Sequence, residues 1–150
     1  MRPVLALALL VAGCATSRPF DRSTEPGAPQ TTIGTSGSVV ITGQALSADP
    51  GITVLDAIRR VMPQAMITGW SATDNCPHVE LRGHDSVSGS SDPDVYVDGT
   101  HARDTCPLVT LQAAQTGRIE VYPGGVTSRP GYPTGPHGLI LIFVARPDST

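Results

Sequence analysis

The second half of the chain carries histidines and aspartates that are suited to metal chemistry. The candidate zinc ligands are His78, His84, Asp85 and His101. They are dispersed among Ser- and Gly-rich stretches, whereas zinc sites usually take closely spaced ligands from rigid, well-supported elements. The candidate calcium ligands are Asp92, Asp94, Asp98 and Asp104. They lack the regular spacing of a calcium loop. The sequence therefore predicts no metal site.

Catalytic patterns are equally scarce. No Gly-x-Ser-x-Gly motif is present, and the serines between 86 and 91 lie in a stretch predicted to be a flexible loop. No glycine-rich phosphate loop leads into a helix, and thirteen acidic residues supply carboxylate pairs by chance alone. The sequence predicts neither an enzyme nor a cofactor. A small secreted hydrolase is kept as the weakest alternative.

Charge argues against a nucleic-acid partner. The formal net charge is −3, and all ten basic residues are arginines scattered along the chain. A nucleic-acid-binding surface needs a basic patch or stripe.

The N-terminus has the pattern of an export signal. Arg2 precedes an apolar run from Val4 to Ala12 that is too short to span a bilayer, which takes about twenty residues. Val11-Ala12-Gly13-Cys14 resembles a bacterial lipobox, which implies a signal peptide at 1–13 and acylation of Cys14; an ordinary signal peptide with a chance cysteine is the alternative. Several acyl chains on one cysteine give durable anchoring. Ala15 follows, and a non-acidic residue there is typical of outer-membrane lipoproteins.

With Cys14 assigned to lipid, Cys76 and Cys106 remain. In an oxidising compartment an even remainder favours a disulfide bond. A redox or metal pair is the alternative, but no Cys-x-x-Cys is present.

Periodicity predicts the elements of one domain. Thr53 and Asp56 are close to a capping box, and apolar residues at helical spacing follow until Pro63. Strands are predicted around 66–70, 78–82, 95–98 and 118–122, and a short helix over 108–115. Residues 139–144 are continuously apolar, which predicts a central strand buried on both faces. Ser38 to Leu46 is either a first strand or an extended entry segment.

An amphipathic helix at 54–61 is followed by His78-Val79-Glu80-Leu81-Arg82-Gly83, by Val95-Tyr96-Val97-Asp98-Gly99, by Arg118-Ile119-Glu120-Val121-Tyr122-Pro123-Gly124-Gly125, and by an apolar strand from Gly138. This order resembles the plug domain of TonB-dependent outer-membrane receptors. The resemblance implies an α+β fold, a small plug-like domain with a mixed four- to five-stranded sheet and two short helices. It also implies structural roles for Arg82, Gly83, Asp98, Gly99, Glu120, Gly124 and Gly138. Glu80 or Glu120 would pair with Arg82.

The predicted organisation is a signal peptide at 1–13, a disordered tether at 14–37, the plug-like domain at 38–146 and a tail at 147–150. No transmembrane strands follow Arg146 in this sequence, so no pore is expected from it. The predicted function is a non-enzymatic outer-membrane lipoprotein, on the periplasmic or surface face. It would bind an outer-membrane β-barrel protein or a small ligand in envelope transport, through loops 84–93, 101–107 and 128–137. The alternative is a structural or envelope-assembly role without a ligand.

Overall fold

The computed structural model describes residues 30–34, 37–81, 91–124, 129–133 and 135–146. Their strands are β1 (Gln30–Ile33), β2 (Val39–Thr42), β3 (Met66–Trp70), β4 (Pro77–Glu80), β5 (Asp94–Val97), β6 (Thr100–His101), β7 (Thr116–Pro123) and β8 (Gly138–Val144). The helices are α1 (Gln44–Ser47), α2 (Val54–Val61) and α3 (Pro107–Thr110), with a 3₁₀ turn at Ala113–Gln115. No helix among these residues combines the length and apolar character that crossing a membrane requires.

The strands form two sheets, which confirms the predicted α+β class with a mixed sheet. The larger sheet has six strands in the order β1-β2-β7-β8-β5-β6, and β3 pairs with β4 in a separate hairpin. β5 runs parallel to β8, while the other neighbours are antiparallel. The main sheet exceeds the predicted four to five strands because two short edge strands, β1 and β6, extend it.

The apolar strand near the C-terminus is central, as predicted. β8 lies between β7 and β5, and Leu139 to Ile142 are each at most 1% exposed. Ile140 and Ile142 pack in the main core with α2, while Leu139 and Leu141 pack on the opposite face with Tyr122. A strand that is covered on both faces needs apolar residues at every position, which explains the absence of alternation.

The capping box predicted at the start of α2 is present. The Thr53 hydroxyl accepts from the Asp56 N–H at 3.2 Å, and the Asp56 carboxylate accepts from the Thr53 N–H at 3.1 Å. The Thr53 hydroxyl also donates to the Asp56 carboxylate at 2.7 Å. This hydrogen bond, followed by the one from the Thr53 N–H, lowers the pKa of Asp56. The apolar face of α2 is buried in the main core through Val54, Leu55 and Ile58.

Thr53→Ala is expected to lower the free energy of unfolding by about 1 kcal/mol at pH 7, because it removes this cap. The pKa of Asp56 is lower in the folded than in the unfolded state. The charged carboxylate therefore stabilises the fold above pH 3.8, and this stabilisation is lost as the pH falls through the folded-state pKa. The difference between wild type and variant, measured by urea unfolding, should therefore shrink at pH 3. Thr73→Ala, at an exposed turn position, is the control. A difference that is independent of pH would contradict this account of the cap.

The prediction of a disordered tether over residues 14–37 is wrong for residues 30–33. Gln30–Ile33 forms β1 and pairs antiparallel with β2, in register from Gln30↔Thr42 to Ile33↔Val39. The β-branched residues at 31–33 favour a strand once β2 offers an edge. Residues 14–29 and the tail at 147–150 lie outside the described residues. Ser38 to Leu46 divides into β2 and then α1.

The helix predicted over 108–115 is interrupted. Leu111 and Gln112 are extended, between α3 and the 3₁₀ turn. The Leu111 carbonyl accepts from the Val54 N–H at 3.0 Å, and the Ala113 N–H donates to the Ile52 carbonyl at 2.9 Å. Backbone pairing with the segment that precedes α2 therefore replaces two residues of helix.

Candidate functional site

A polar cavity of about 280 Å³ lies where the β3–β4 hairpin meets β5 and β6. Three stretches of chain form its walls: the turn between β3 and β4, the residues that lead into β5, and those that follow β6. The lining residues are Ser71, Asp74, Cys76, His78, Asp92, Pro93, Asp94, Val95, His101, Ala102, Arg103, Asp104 and Thr105.

The first wall is fixed by the side chain of Asp92. One carboxylate oxygen lies 2.7 Å from Nδ1 of His78, and the other accepts from the Val79 N–H at 2.7 Å. Both contacts join β4 to the residues before β5. The Asp92 side chain is 22% exposed, so these hydrogen bonds are partly shielded from water.

The second wall is organised by Asp94 at the start of β5. Its Oδ1 lies 3.4 Å from Nε2 of His101 on β6, and its Oδ2 accepts from the Gly135 N–H at 2.9 Å. The His101 ring packs on Tyr96 with 4.7 Å between ring centroids. Asp94 thereby connects β6 with the segment that precedes β8.

A disulfide bond between Cys76 and Cys106 crosses the edge of the cavity, between the two cysteines that the sequence pairs. Their Cα atoms are 4.6 Å apart. Next to the bond, the hydroxyl of buried Thr105 donates to the Pro77 carbonyl. The turn after β3 and the segment after β6 are thus held together by one covalent link and one hydrogen bond.

The charge of the cavity is negative. Four carboxylates line it against one guanidinium, that of Arg103. A hydrogen bond from Ser71 lowers the pKa of Asp74, with a further contribution from the Cys76 N–H, so this carboxyl is charged at neutral pH. The cavity therefore favours cationic over anionic ligands.

The structure gathers side chains that sequence spacing left apart. His78, His101, Asp92, Asp94 and Asp104 surround one cavity, although they come from three segments of the chain. Asp98 is elsewhere: its carboxylate accepts from the Val144 N–H at 3.0 Å. His84 and Asp85 lie outside the described residues.

The potential ligand atoms are not preassembled around an ion. Among the residues that the structure describes, one set of three lies within 4.8 Å: Cys76, Asp104 and Cys106. Both sulfurs of that set belong to the disulfide, so the set is not a metal centre.

A second polar cluster surrounds Glu120, on the face of the main sheet opposite α2. Its carboxylate is 2.9 Å from Nε of Arg118 and 3.4 Å from Nε of Arg129, and it accepts from the Tyr122 hydroxyl at 2.7 Å. Glu120 is 2% exposed, so these partners compensate the loss of its hydration. Burial, followed by the contact with Glu120, raises the pKa of Tyr122. The cluster fastens the segment at 129–133 to the sheet.

A match to a family model decides the family. The TonB-dependent receptor plug domain model matches residues 31–134. The chain belongs to the TonB-dependent receptor plug domain family. This relation supports an envelope location and a transport context, in a family that is related to transport rather than catalysis.

Solved structures are similar to this chain in fold. One is the RagAB peptide importer in its closed-closed state, with a TM-score of 0.53 and 23% identity over 76% of this chain. Another is the Pseudomonas aeruginosa ferric enterobactin receptor mutant R480A with enterobactin, with a TM-score of 0.52 and 22% identity over 77% of this chain. The present chain spans 13% and 18% of the respective chains. No curated protein matches.

Several plug-motif residues occupy tight backbone positions. Asp98 and Gly99 both have positive φ, 46° and 83°, in the turn that joins β5 to β6. Gly138 has a φ of 104° at the start of β8. A Cβ atom on Gly124 would collide with the Pro136 carbonyl. Arg82 and Gly83 lie outside the described residues.

The two glutamates proposed as partners of Arg82 do not share a sheet. Glu120 is on β7 of the main sheet and Glu80 is on β4 of the hairpin. Alternation with buried Val79 and Leu81 would expose Glu80 on β4, but Glu80 is only 6% exposed. Contacts from Asp92 to Val79 and from Thr105 to Pro77 show that other segments pack along this strand.

Proposed function

We propose that this plug-domain protein is a non-enzymatic recognition module of the outer membrane that binds a small ligand in envelope transport. The cavity beside the disulfide is the observation that carries the proposal. The three segments that form its walls are joined through Asp92, Asp94 and Cys76–Cys106, so their backbone has little conformational freedom to lose when a ligand enters. Recognition by loops on a rigid sheet is common in proteins.

A thermal-shift screen of the purified chain tests ligand binding. A ligand that binds the folded state raises the melting temperature in proportion to the logarithm of its concentration. Because the cavity is acidic, amines and metal ions should give larger shifts than anions of similar size. An Asp104→Asn variant, which removes one lining charge, should reduce the shift. If no cation or neutral compound shifts the melting temperature, the alternative, a structural or envelope-assembly role, is favoured.

The proposed location follows from Cys14, which we assign as the acylated first residue of the mature protein. The lipobox pattern and Ala15 support an outer-membrane lipoprotein. Residues 14–29 would then connect the lipid to β1, with a maximal reach of about 55 Å when fully extended. Mass spectrometry of the mature N-terminus tests this directly. An unmodified Cys14, or cleavage at another residue, would overturn the anchor.

Docking on an outer-membrane β-barrel protein is the second candidate, and the outer strand of the hairpin favours it. Trp70 and Met66 on β3 are 51% and 47% exposed, and β3 pairs only with β4 among the described strands. Exposed aromatic residues are enriched at protein interfaces. A photo-crosslinking residue at position 70 should capture one envelope protein in intact cells, and the same residue at position 73 should not. Identical capture from both positions would count against a docking face.

A further inference from the structure

Two imidazoles in the cavity are each held by a carboxylate through one ring nitrogen. His78 uses Nδ1 toward Asp92 at 2.7 Å, and His101 uses Nε2 toward Asp94 at 3.4 Å. In a neutral imidazole the nitrogen that faces a carboxylate carries the hydrogen, so the other nitrogen keeps its lone pair. Neither remaining nitrogen, Nε2 of His78 or Nδ1 of His101, has a hydrogen bond within the described part of the chain.

This carboxylate–histidine arrangement is the one that supports metal-binding histidines in proteins. The carboxylate fixes the tautomer and the ring orientation and makes the free nitrogen a better ligand. Here it occurs twice, on aspartates that are two positions apart, at 92 and 94. The Cα atoms of those two residues are separated by at most about 7 Å. Both imidazoles line the same cavity.

We propose that the cavity binds a divalent transition-metal ion through Nε2 of His78 and Nδ1 of His101. Imidazole nitrogens favour Zn²⁺, Cu²⁺ and Ni²⁺, whereas Mg²⁺ and Ca²⁺ prefer oxygen ligands. The carboxylates around the cavity add an attractive field for any cation. Water or the Asp104 carboxylate completes the coordination.

The two rings are exposed enough to come together on one ion. Their side chains are 44% and 53% exposed, so they have room to move toward a common ion. In the described residues, the one set of three ligand atoms within 4.8 Å includes the disulfide sulfurs, so the rings must move before they can share an ion. This movement costs free energy, and we therefore expect a moderate affinity rather than that of a structural zinc site. A moderate affinity suits a site that takes up and releases its ion.

The inference deepens the proposed function, because it names a metal ion as the ligand, and it rests on that function for its biological purpose. The binding itself is measured by isothermal titration of the chelator-treated full chain with ZnCl₂, and with MgCl₂ for comparison. We expect one zinc ion per chain and no heat of binding from magnesium. Histidine ¹⁵N resonances recorded during the titration should shift for the two cavity imidazoles.

Variants separate ligation from general charge. His78→Ala and His101→Ala should each weaken zinc binding by at least about 10-fold, and the double variant should abolish it. Asp92→Asn should weaken it by about 10-fold or more, since a supporting carboxylate is lost. His137→Asn, outside the cavity, should leave the affinity unchanged. Circular dichroism confirms that each variant is folded.

Two results would overturn the metal site. One is zinc affinity in the His78→Ala/His101→Ala double variant that equals that of the wild type. The other is no zinc binding to the wild type up to about 1 mM, a concentration that would half-fill a site with a Kd of about 1 mM. If zinc fails while an organic cation still raises the melting temperature, the proposed function stands and this inference falls.

Discussion

Replacing Cys76 and Cys106 together with alanine is expected to lower the free energy of unfolding by about 3–4 kcal/mol, since the bond closes a loop with a sequence separation of 30. The bond restricts the unfolded chain, and the entropy of loop closure sets the size of the effect. In the folded state it also holds the turn after β3 against the segment after β6. Urea unfolding of the oxidised wild type and the double variant gives the difference.

A neighbouring hydrogen bond supplies the control for the disulfide prediction. Thr105→Val removes the contact from the Thr105 hydroxyl to the Pro77 carbonyl but leaves the covalent link, and should cost about 1 kcal/mol. Reduction of the wild type should reproduce most of the effect of the double alanine variant. Two free thiols in the denatured, unreduced wild type would contradict the disulfide itself.

The parts of the fold that the sequence predicted well depend on local signals. The capping box at Thr53 and Asp56 needs residues three positions apart, and Pro63 ends the helical pattern soon afterwards. β8 is identified by continuous apolar residues, because a central strand between two packed layers has no solvent-facing side. Order along the chain then sufficed to indicate the plug family.

The cavity could not be predicted, because its geometry depends on pairing between distant segments. His78 and Asp92 are 14 positions apart in the sequence, and Asp94 meets Gly135 because β5 runs parallel to β8. The spacing of the histidines in the sequence does not indicate that His78 and His101 line the same cavity. A possible signal was the pair of cysteines, since a disulfide brings both of its flanking segments to one place.

Buried charge was the other feature that patterning missed. Glu120 lies between Ile119 and Val121 on β7, and an alternating strand predicts a solvent-exposed glutamate. The opposite sheet face is covered by the segment at 129–133, which brings Arg129 to the carboxylate. A second layer over a sheet is a tertiary feature, so residue alternation alone does not indicate it.

Strand register places the cavity and the proposed tether at opposite ends of the sheet. β1 begins at Gln30, which pairs with Thr42 of β2. Across the next two strands, Thr42 pairs with Arg118 and Arg118 pairs with Phe143. The start of β1 is therefore level with the end of β8. Asp94 at the cavity is level with Leu139 near the start of β8. The two ends are about 13 Å apart along the strand. A tether from Cys14 would therefore join the domain at the end of the sheet away from the cavity.

Gly138 at the start of β8 has two independent reasons to be glycine. Its φ of 104° is a conformation that other residues rarely adopt. A Cβ atom there would also lie 2.6 Å from the Tyr122 carbonyl oxygen and 3.0 Å from a methyl group of Leu81. The first contact is with backbone of the neighbouring strand β7, which cannot rotate away as a side chain would.

Gly138→Ala is therefore expected to lower the free energy of unfolding by about 2–5 kcal/mol, as the sum of left-handed backbone strain and overpacking. Gly43→Ala is the matched control, because Gly43 also has positive φ, 61°, but a Cβ atom there meets nothing within 4 Å. It should lose only the strain, about 1–2 kcal/mol. Urea unfolding compares the two variants. Equal losses would mean that the close approach of β8 to β7 at Gly138 contributes nothing, and that the register at this end of the sheet is not fixed by the glycine.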